Sequence, residues 1–465
     1  MNTYLDVAVI RIQSWLTRVP HLRGRRGASA MIRRATDPET IDSLLAGKQH
    51  LAQRCAEAGH IDGVVPLQLH SDDAETTAWA EQHVIRHLRE LLPGASLHTS
   101  LRRGTDRQQS QHSGTTVRER EWPPVVSEWP PGKQCDWCHV WPACQHRETG
   151  SGADKKWEAL CPDCLGRDDN AGYATSSKQD LVPGTEHELL ERWEKQDFGT
   201  PAKVPDKFPE LVTFGPPEDN THLATVYADG NAISLFGRQL RATPTRKGEA
   251  GFDMPAAIDE ATWSGLLHAI RDVTDEPRTT LPISAHFVGG DDVLVSLPAH
   301  HAWRFTRTLQ ERFGTCLRAR LDEKGLDTVA APSLSAAAVF HHHSSPLATA
   351  VDLAGELLAR TKKHHRGRTA ALVWQDITHD GPYDIDRAGI PLATLQNSWD
   401  ALRELARHGG STRANLAALA RANEHDQLRK HAERLGIAHT LDRFTPESIS
   451  LLDALGMVRW WKEDA

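Results

Sequence analysis

Hydrophobic positions change period several times along the chain. YLDVAVIRI, GVVPLQL and ASLHTSLRR are apolar or alternate apolar with polar, as strands do, while residues 39–58 and 74–92 space apolar residues three and four apart, as helices do. This is α+β alternation. Residues 103–134 then turn polar and proline-rich, with RQQSQHSGTT before EWPPVVSEWPPG; they can bury little apolar surface and are expected to form a linker or long loop. Irregular chain, marked by SGADKK and ATSSKQD, continues to about residue 205, where a domain boundary is expected. The first rhythm then returns more clearly. HLATVYADGNAISLF reads as a strand, 256–274 as a helix, PISAHFV and DVLVSLP as a hairpin around GGDD, 300–324 as a helix, LSAAAVFHH as a strand and 348–363 as a helix. From about 391 the period is helical throughout, predicting a small C-terminal bundle whose last helix starts at Pro446 after Thr445.

A length of 465 residues suggests three or four compact units. The net charge of -8 excludes a whole-protein basic field, so any surface for nucleic acid has to be local. Two runs qualify: Arg18, His21, Arg23, Arg25, Arg26, Arg33 and Arg34, and KKHHRGR at 362–368; each is either a phosphate-binding surface or a solvated helix face. No apolar stretch approaches the roughly twenty residues of a membrane span, and MNTYLDVAVIRIQSWL lacks the regions of a secretory signal. The expectation is a cytoplasmic protein without a membrane partner. Five of the seven cysteines fall between 135 and 164, which favours a metal site in a reducing compartment over a disulfide framework.

Cys135 and Cys138, then Cys161 and Cys164, form two C-x2-C pairs separated by 22 residues. Each pair can turn both thiolates toward one ion, and two pairs complete the tetrahedron of a closed, structural Zn2+ site. Cys144, His139 and His146 lie nearby as alternative fourth ligands.

In FVGGDDVLV, Asp291 and Asp292 follow Gly289 and Gly290 at the tip of an apolar hairpin. GGDD is a fair turn sequence on its own; it is also a place where two carboxylates repel each other unless a cation lies between them, and Mg2+ (or Mn2+) fits because it takes oxygen ligands and bridges to phosphates. Asp229, in VYADGNAIS, stands at the end of the strand that a ferredoxin-like sheet would place beside that hairpin, which gives the two-metal arrangement of nucleotidyl transfer.

The order YADGN, GGDD, then SAAAVFHHHSSPLATA with a helix ending in ARTK resembles the polymerase/cyclase palm of the large subunit of type III CRISPR effector complexes. The N-terminal YLDVAVIRIQSWLTRVPHLRGRRGASAMI is similar to that family's first palm-like domain. The resemblance covers nearly the whole chain. It implies two ferredoxin-like palm domains, at 1–110 and 206–390, a linker at 111–134, a zinc-binding four-cysteine element with an irregular insertion at 135–205, and a helical domain at 391–465. It also implies synthesis of cyclic oligoadenylates from ATP, activated by target RNA bound to a guide-RNA complex with other effector subunits. Asp229, Asp291 and Asp292 would hold the catalytic Mg2+; Gly230, Asn231, Gly289, Gly290, His342 and Lys362 would contact nucleotide, with His341 and Lys363 as neighbours of those roles and Ser29 and Arg23 as weaker acceptor contacts. Trp460 and Trp461 read as packing residues.

Three departures bear on this. The first palm-like strand starts at Tyr4, so the N-terminal HD nuclease domain of many members is not expected; His379-Asp380 and His425-Asp426 are HD dipeptides by letter only. Asn231 stands where the family has a second acidic residue, and Ala337 where a glycine is expected. The alternatives are a catalytically weakened scaffold that binds RNA or nucleotide, and a stand-alone cyclase.

Overall fold

The computed structural model describes residues 1–58, 62–112, 114–124, 132–149, 155–171, 183–196, 203–216, 221–243, 252–274, 279–381 and 387–461. Contacts divide the chain into two compact units, one made of 1–207, 278–290 and 346–352, the other of 208–277, 291–345 and 353–465.

In the first unit, β1 (Asn2–Ile10), β2 (Ala52–Arg54), β3 (Val64–Leu69), β4 (Ser96–Gly104) and β5 (Thr115–Trp122) form one sheet in the order β2-β3-β1-β4-β5, all pairs antiparallel. β1 is central because Leu5, Val7 and Val9 bury one face fully. Three local expectations fail here. The helix read over 39–58 ends at Leu44, and the chain turns at Gly47 into β2, a strand of three residues and too short to show a period of two. The stretch read as a linker supplies the helix Arg107–His112 and β5, an edge strand exposed along nearly its whole length and held by backbone pairing to β4 and by the Arg118–Glu81 and Arg102–Glu119 ion pairs. Hydrophobic patterning cannot reveal a strand that buries nothing. Nor is most of the early arginine run a solvated or phosphate-facing surface, although Arg34 is exposed: in the helix Leu22–Thr36, Arg23 bonds Asp168 at 2.7 Å, Arg26 pairs with Glu186, Arg33 with Glu188, and Arg25 is buried.

The second sheet takes β8 (His222–Gly230), β9 (Ser284–Gly289), β10 (Asp292–Pro298), β11 (Leu334–His342), β12 (Ala371–Asp376) and β13 (Ile390–Pro391) in the order β13-β12-β11-β8-β10-β9. β8 is antiparallel to both neighbours, and β12 joins β11 in parallel after the crossover helix Leu347–His364. In both sheets the first strand lies between the third and the fourth of its own set, the order of a ferredoxin-like palm. β8 stops at Gly230, and Ala232, in the left-handed region at φ 56°, turns the chain into the helix Ile233–Ala242, so ISLF is helical rather than part of the strand.

The C-terminal helices Leu392–Ala406, Gly410–Arg421, His425–Leu435 and Leu451–Met457 pack around Leu395, Leu402, Leu405 and Leu416. The last begins after Ser450, whose hydroxyl accepts the Asp453 N–H, and Pro446 lies in the preceding turn. Trp460 stacks on Phe340 at 5.5 Å and donates to Asp376, while Trp461 packs on Trp399. Among the described residues no helix is long and apolar enough to cross a membrane.

Candidate active site and metal centre

Alternation along β8 puts Thr225, Tyr227 and Asp229 on one face of the second sheet, and antiparallel register sets Ser335 of β11 across from Asp229 and Ala337 across from Tyr227. On the other side Val293 of β10 pairs with Ala228, so Asp292, one residue earlier, falls beside Asp229. Gly290, at φ +59°, makes the turn into β10 that brings Asp291 back toward β8. The Asp291 carboxylate accepts the Gly230 N–H at 3.2 Å, and a side chain at 230 would stand 2.4 Å from its Oδ2, so this approach requires glycine. The Tyr227 hydroxyl donates to Asp292 at 3.3 Å. Lys362, in the last turn of the helix Leu347–His364, donates its ammonium to Asp229 and, at 2.6 Å, to the Gly230 carbonyl.

Three carboxylates therefore share one place with a single paired ammonium. Burial, then the charge of Asp229, pushes Asp291 up to about 6, and burial followed by Asp229 and Asp291 pushes Asp292 up to about 7. Burial also raises Tyr227, with Asp292 next in effect. Such a cluster suits a divalent cation with oxygen ligands, held by Asp229, Asp291 and Asp292. Two opposite pH trends are expected. Without metal, the stability gained by keeping Asp291 and Asp292 protonated is full below the ordinary value of 3.8 and is lost as pH rises through about 6 and 7. Mg2+ binding needs both protons gone, so the rise in Tm on adding Mg2+ should be larger at pH 8 than at pH 5.5; thermal melts at the two pH values, with and without Mg2+, check this.

The other sequence candidates divide. Lys362, Gly230 and the Gly289-Gly290 turn stand at the carboxylates. Asn231 does not face them: it is buried, and its amide donates to Ser333 at 3.0 Å, Ser335 at 2.9 Å and the Thr369 carbonyl at 3.2 Å, so the expected nucleotide contact is corrected to a bolt between β8 and the β11–β12 edge. Asn231→Ala is expected to cost about 2–3 kcal/mol in a denaturant titration while leaving the Mg2+ shift in place. His342 is also displaced. It pairs with His222 at the far end of β11, seven residues and so about 23 Å from the Asp229 end, and its ring bonds Ser344. His341 is buried against Thr225 at 2.8 Å. Ser29 is spent on Thr185, and Arg23 on Asp168. His379 bonds Asp376, a structural contact. Tyr227 was not singled out by motif, although its place two residues before Asp229 on a strand puts it on the same face.

In the first unit, Cys135, Cys138, Cys161 and Cys164 are buried with their sulfurs all within 4.8 Å of one another. Cys138 and Cys161 stand 3.8 Å apart, far beyond a disulfide and equal to the edge of a tetrahedron with metal–sulfur bonds of about 2.3 Å. Asp136 N–H to Ala159 O and the β6 (Gln145–Thr149) and β7 (Lys156–Leu160) hairpin fix the first pair; Cys161 caps the helix Pro162–Asp169, which carries the second. Hydrogen bonds from the other cysteines pull Cys135 down, while the same neighbours push Cys161 and Cys164 up, the pattern of sulfurs that can ionise together only around a cation. Cys144, His139 and His146 are exposed and lie outside the cluster, which removes them as alternative ligands among the described residues. The donor set fits zinc.

A palm-type sheet with a carboxylate cluster at the tip of its hairpin defines the class of protein. The family profile described as Cas10/Cmr2, second palm domain, matches residues 258–371, which include Asp291, Asp292 and Lys362. That segment, about a quarter of the chain, is similar to the second palm of Cas10/Cmr2. No curated protein matches it in sequence. Its fold is shared with the crystal structure of a Csm1-Csm4 cassette in complex with cA4, at TM-score 0.53 and 11% identity over 99% of this chain and 69% of that one. It is also similar to the cassette with pppApApA, at 0.51 and 11% over 99% and 69%, and to the cassette with one ATP, at 0.51 and 11% over 99% and 70%.

Proposed function

We propose that the chain joins ATP into cyclic oligoadenylates at the Asp229, Asp291 and Asp292 cluster, as a subunit of a type III CRISPR effector complex switched on when guide RNA pairs with target RNA. The observation that carries this reading is the convergence of three carboxylates from β8 and the GGDD turn on one face of a Cas10-type palm. Support for the substrate comes from the nucleotides held in complex by the similar Csm1-Csm4 structures, cA4, pppApApA and ATP. Asp229, Asp291 and Asp292 would hold Mg2+ or Mn2+, which stabilises the attacking and leaving oxygens of an in-line phosphoryl displacement. Gly230 and the Gly289-Gly290 turn leave room for a polyphosphate to approach the main chain. Lys362, which pairs with Asp229 and donates to the Gly230 carbonyl, would supply positive charge to the phosphates once Asp229 holds a cation. Tyr227 holds Asp292 in place through its hydroxyl. The 3′-hydroxyl of one nucleotide forms the new bond to the α-phosphorus of the next, the bond to the β-phosphate oxygen breaks, pyrophosphate leaves and the hydroxyl proton passes to water.

The engaged amide of Asn231 supports this reading over a weakened scaffold, since a residue turned away from the cluster removes no ligand by not being acidic. Labelled ATP and Mg2+, supplied to the chain with its partner subunits and guide RNA, provide the test. Cyclic oligoadenylate made only with target RNA is the expected result; product without RNA would indicate a stand-alone cyclase, and no product under any condition a scaffold.

A further inference from the structure

The second unit holds a cavity of about 370 Å³ that the chemistry above leaves unused, lined by Trp374 of β12, Arg387, Asp380 and the C-terminal residues Arg413, Arg421, Asp453 and Arg459. Its two lining carboxylates are already taken, because Arg387 bonds Asp453 at 2.7 Å and pairs with Asp380 at 3.6 Å. Arg459 pairs with Asp376, which also accepts from Trp460 and His379. Arg413 is half-buried and has no carboxylate partner among the described residues; its guanidinium donates to the Val458 carbonyl, and burial together with Arg459 holds it below its ordinary value. Arg421 is exposed and makes no hydrogen bond or ion pair among the described residues. Two further features adjoin the same space. Trp374 lines it and its buried indole N–H makes no hydrogen bond among the described residues, and the twelve-residue helix Gly410–Arg421 starts at the cavity wall with no side-chain cap. Leu452, Leu455 and Ala417 give the remaining wall an apolar surface.

We infer that this cavity is an anion site for the phosphate of a nucleotide, with Arg413 and the helix start on the phosphate, Arg421 adding positive charge from the far end of the same helix and the apolar wall against the ribose or base. Donors without matching acceptors among the described residues call for an anion, and planar guanidinium groups favour phosphate oxygens over a spherical ion. The volume suits one nucleotide. The phosphate comes either from a free nucleotide or from a phosphodiester of single-stranded RNA.

The full chain, without added divalent cation, is titrated with a fluorescently labelled twelve-nucleotide RNA by anisotropy and with ATP by calorimetry. Arg413→Gln with Arg421→Glu should weaken one of the two probes by about tenfold or more, and Arg421→Glu alone by a smaller factor on the same probe. Loss for RNA with ATP unchanged assigns the site to a strand, and loss for ATP assigns it to the free nucleotide. Arg429→Glu with Lys430→Gln, an equal charge change outside the cavity, should alter neither by more than about twofold. Should the double variant misfold, the single change at the unpartnered Arg421 decides. Affinity for both probes unchanged in the folded variant, or an equal loss in the control, overturns the assignment.

Discussion

Replacing Asp291 and Asp292 together by alanine is expected to lower oligoadenylate synthesis by about a thousandfold or more while leaving Tm unchanged or raised. The two effects share one cause. Both carboxylates are held above the ordinary aspartate value by burial and by Asp229, so at neutral pH their ionised forms cost the fold stability, and removing them relieves that cost. The same removal leaves Asp229 alone to hold divalent cations, and losing preorganised charge at a phosphoryl-transfer site costs orders of magnitude in rate. A merely structural turn would give the reverse pattern, with Tm lowered and activity retained. Product formation from labelled ATP, read beside a thermal melt of the same preparation, separates the two.

Stripping the four-cysteine cluster should have the largest effect on stability. Purified protein is expected to carry about one zinc per chain. Chelation, or Cys161→Ser, should remove it and lower the melting of the first unit by about 10 °C or more, because metal binding is worth several kcal/mol to a structural site and each kcal/mol moves a unit of this size by about 2–4 °C. The sulfurs otherwise face one another in a small core with Val19, Trp137 and Leu160, where unshared thiolates are costly. Cys144→Ser is the matched control, since Cys144 is exposed and stands outside the cluster. Zinc-free protein that melts at the same temperature before and after chelation would remove the metal assignment.

Most of the palm was legible in the sequence, because its strands are near-continuous apolar runs and its helices have a clear period: β10 and β11 each bury all but one residue, β8 buries six of its nine, and the hairpin is punctuated by glycines. The carboxylates could be named for the same reason, since adjacent acids at an apolar turn leave a strong local signal. What stayed hidden is set by tertiary contacts. β5 carries charge on both faces and is held by pairing to its neighbour, so no pattern marks it. The arginines of helix Leu22–Thr36 look solvated until Asp168, Glu186 and Glu188 arrive from residues far along the chain. His342 and Asn231 each lie within a few residues of site-like motifs, yet strand register carries the first to the opposite end of the sheet and a buried trio of acceptors turns the second away. Adjacency in sequence places a residue on an element; only register and burial decide which way it faces.

Anomalous scattering from Mn2+ in crystals grown with a non-hydrolysable ATP analogue tests the carboxylate cluster most directly. The expected result is a manganese peak in contact with Asp229 and with Asp291 or Asp292, and Lys362 moved from Asp229 to the triphosphate. Bound nucleotide with manganese elsewhere, and Lys362 still paired with Asp229, would contradict it.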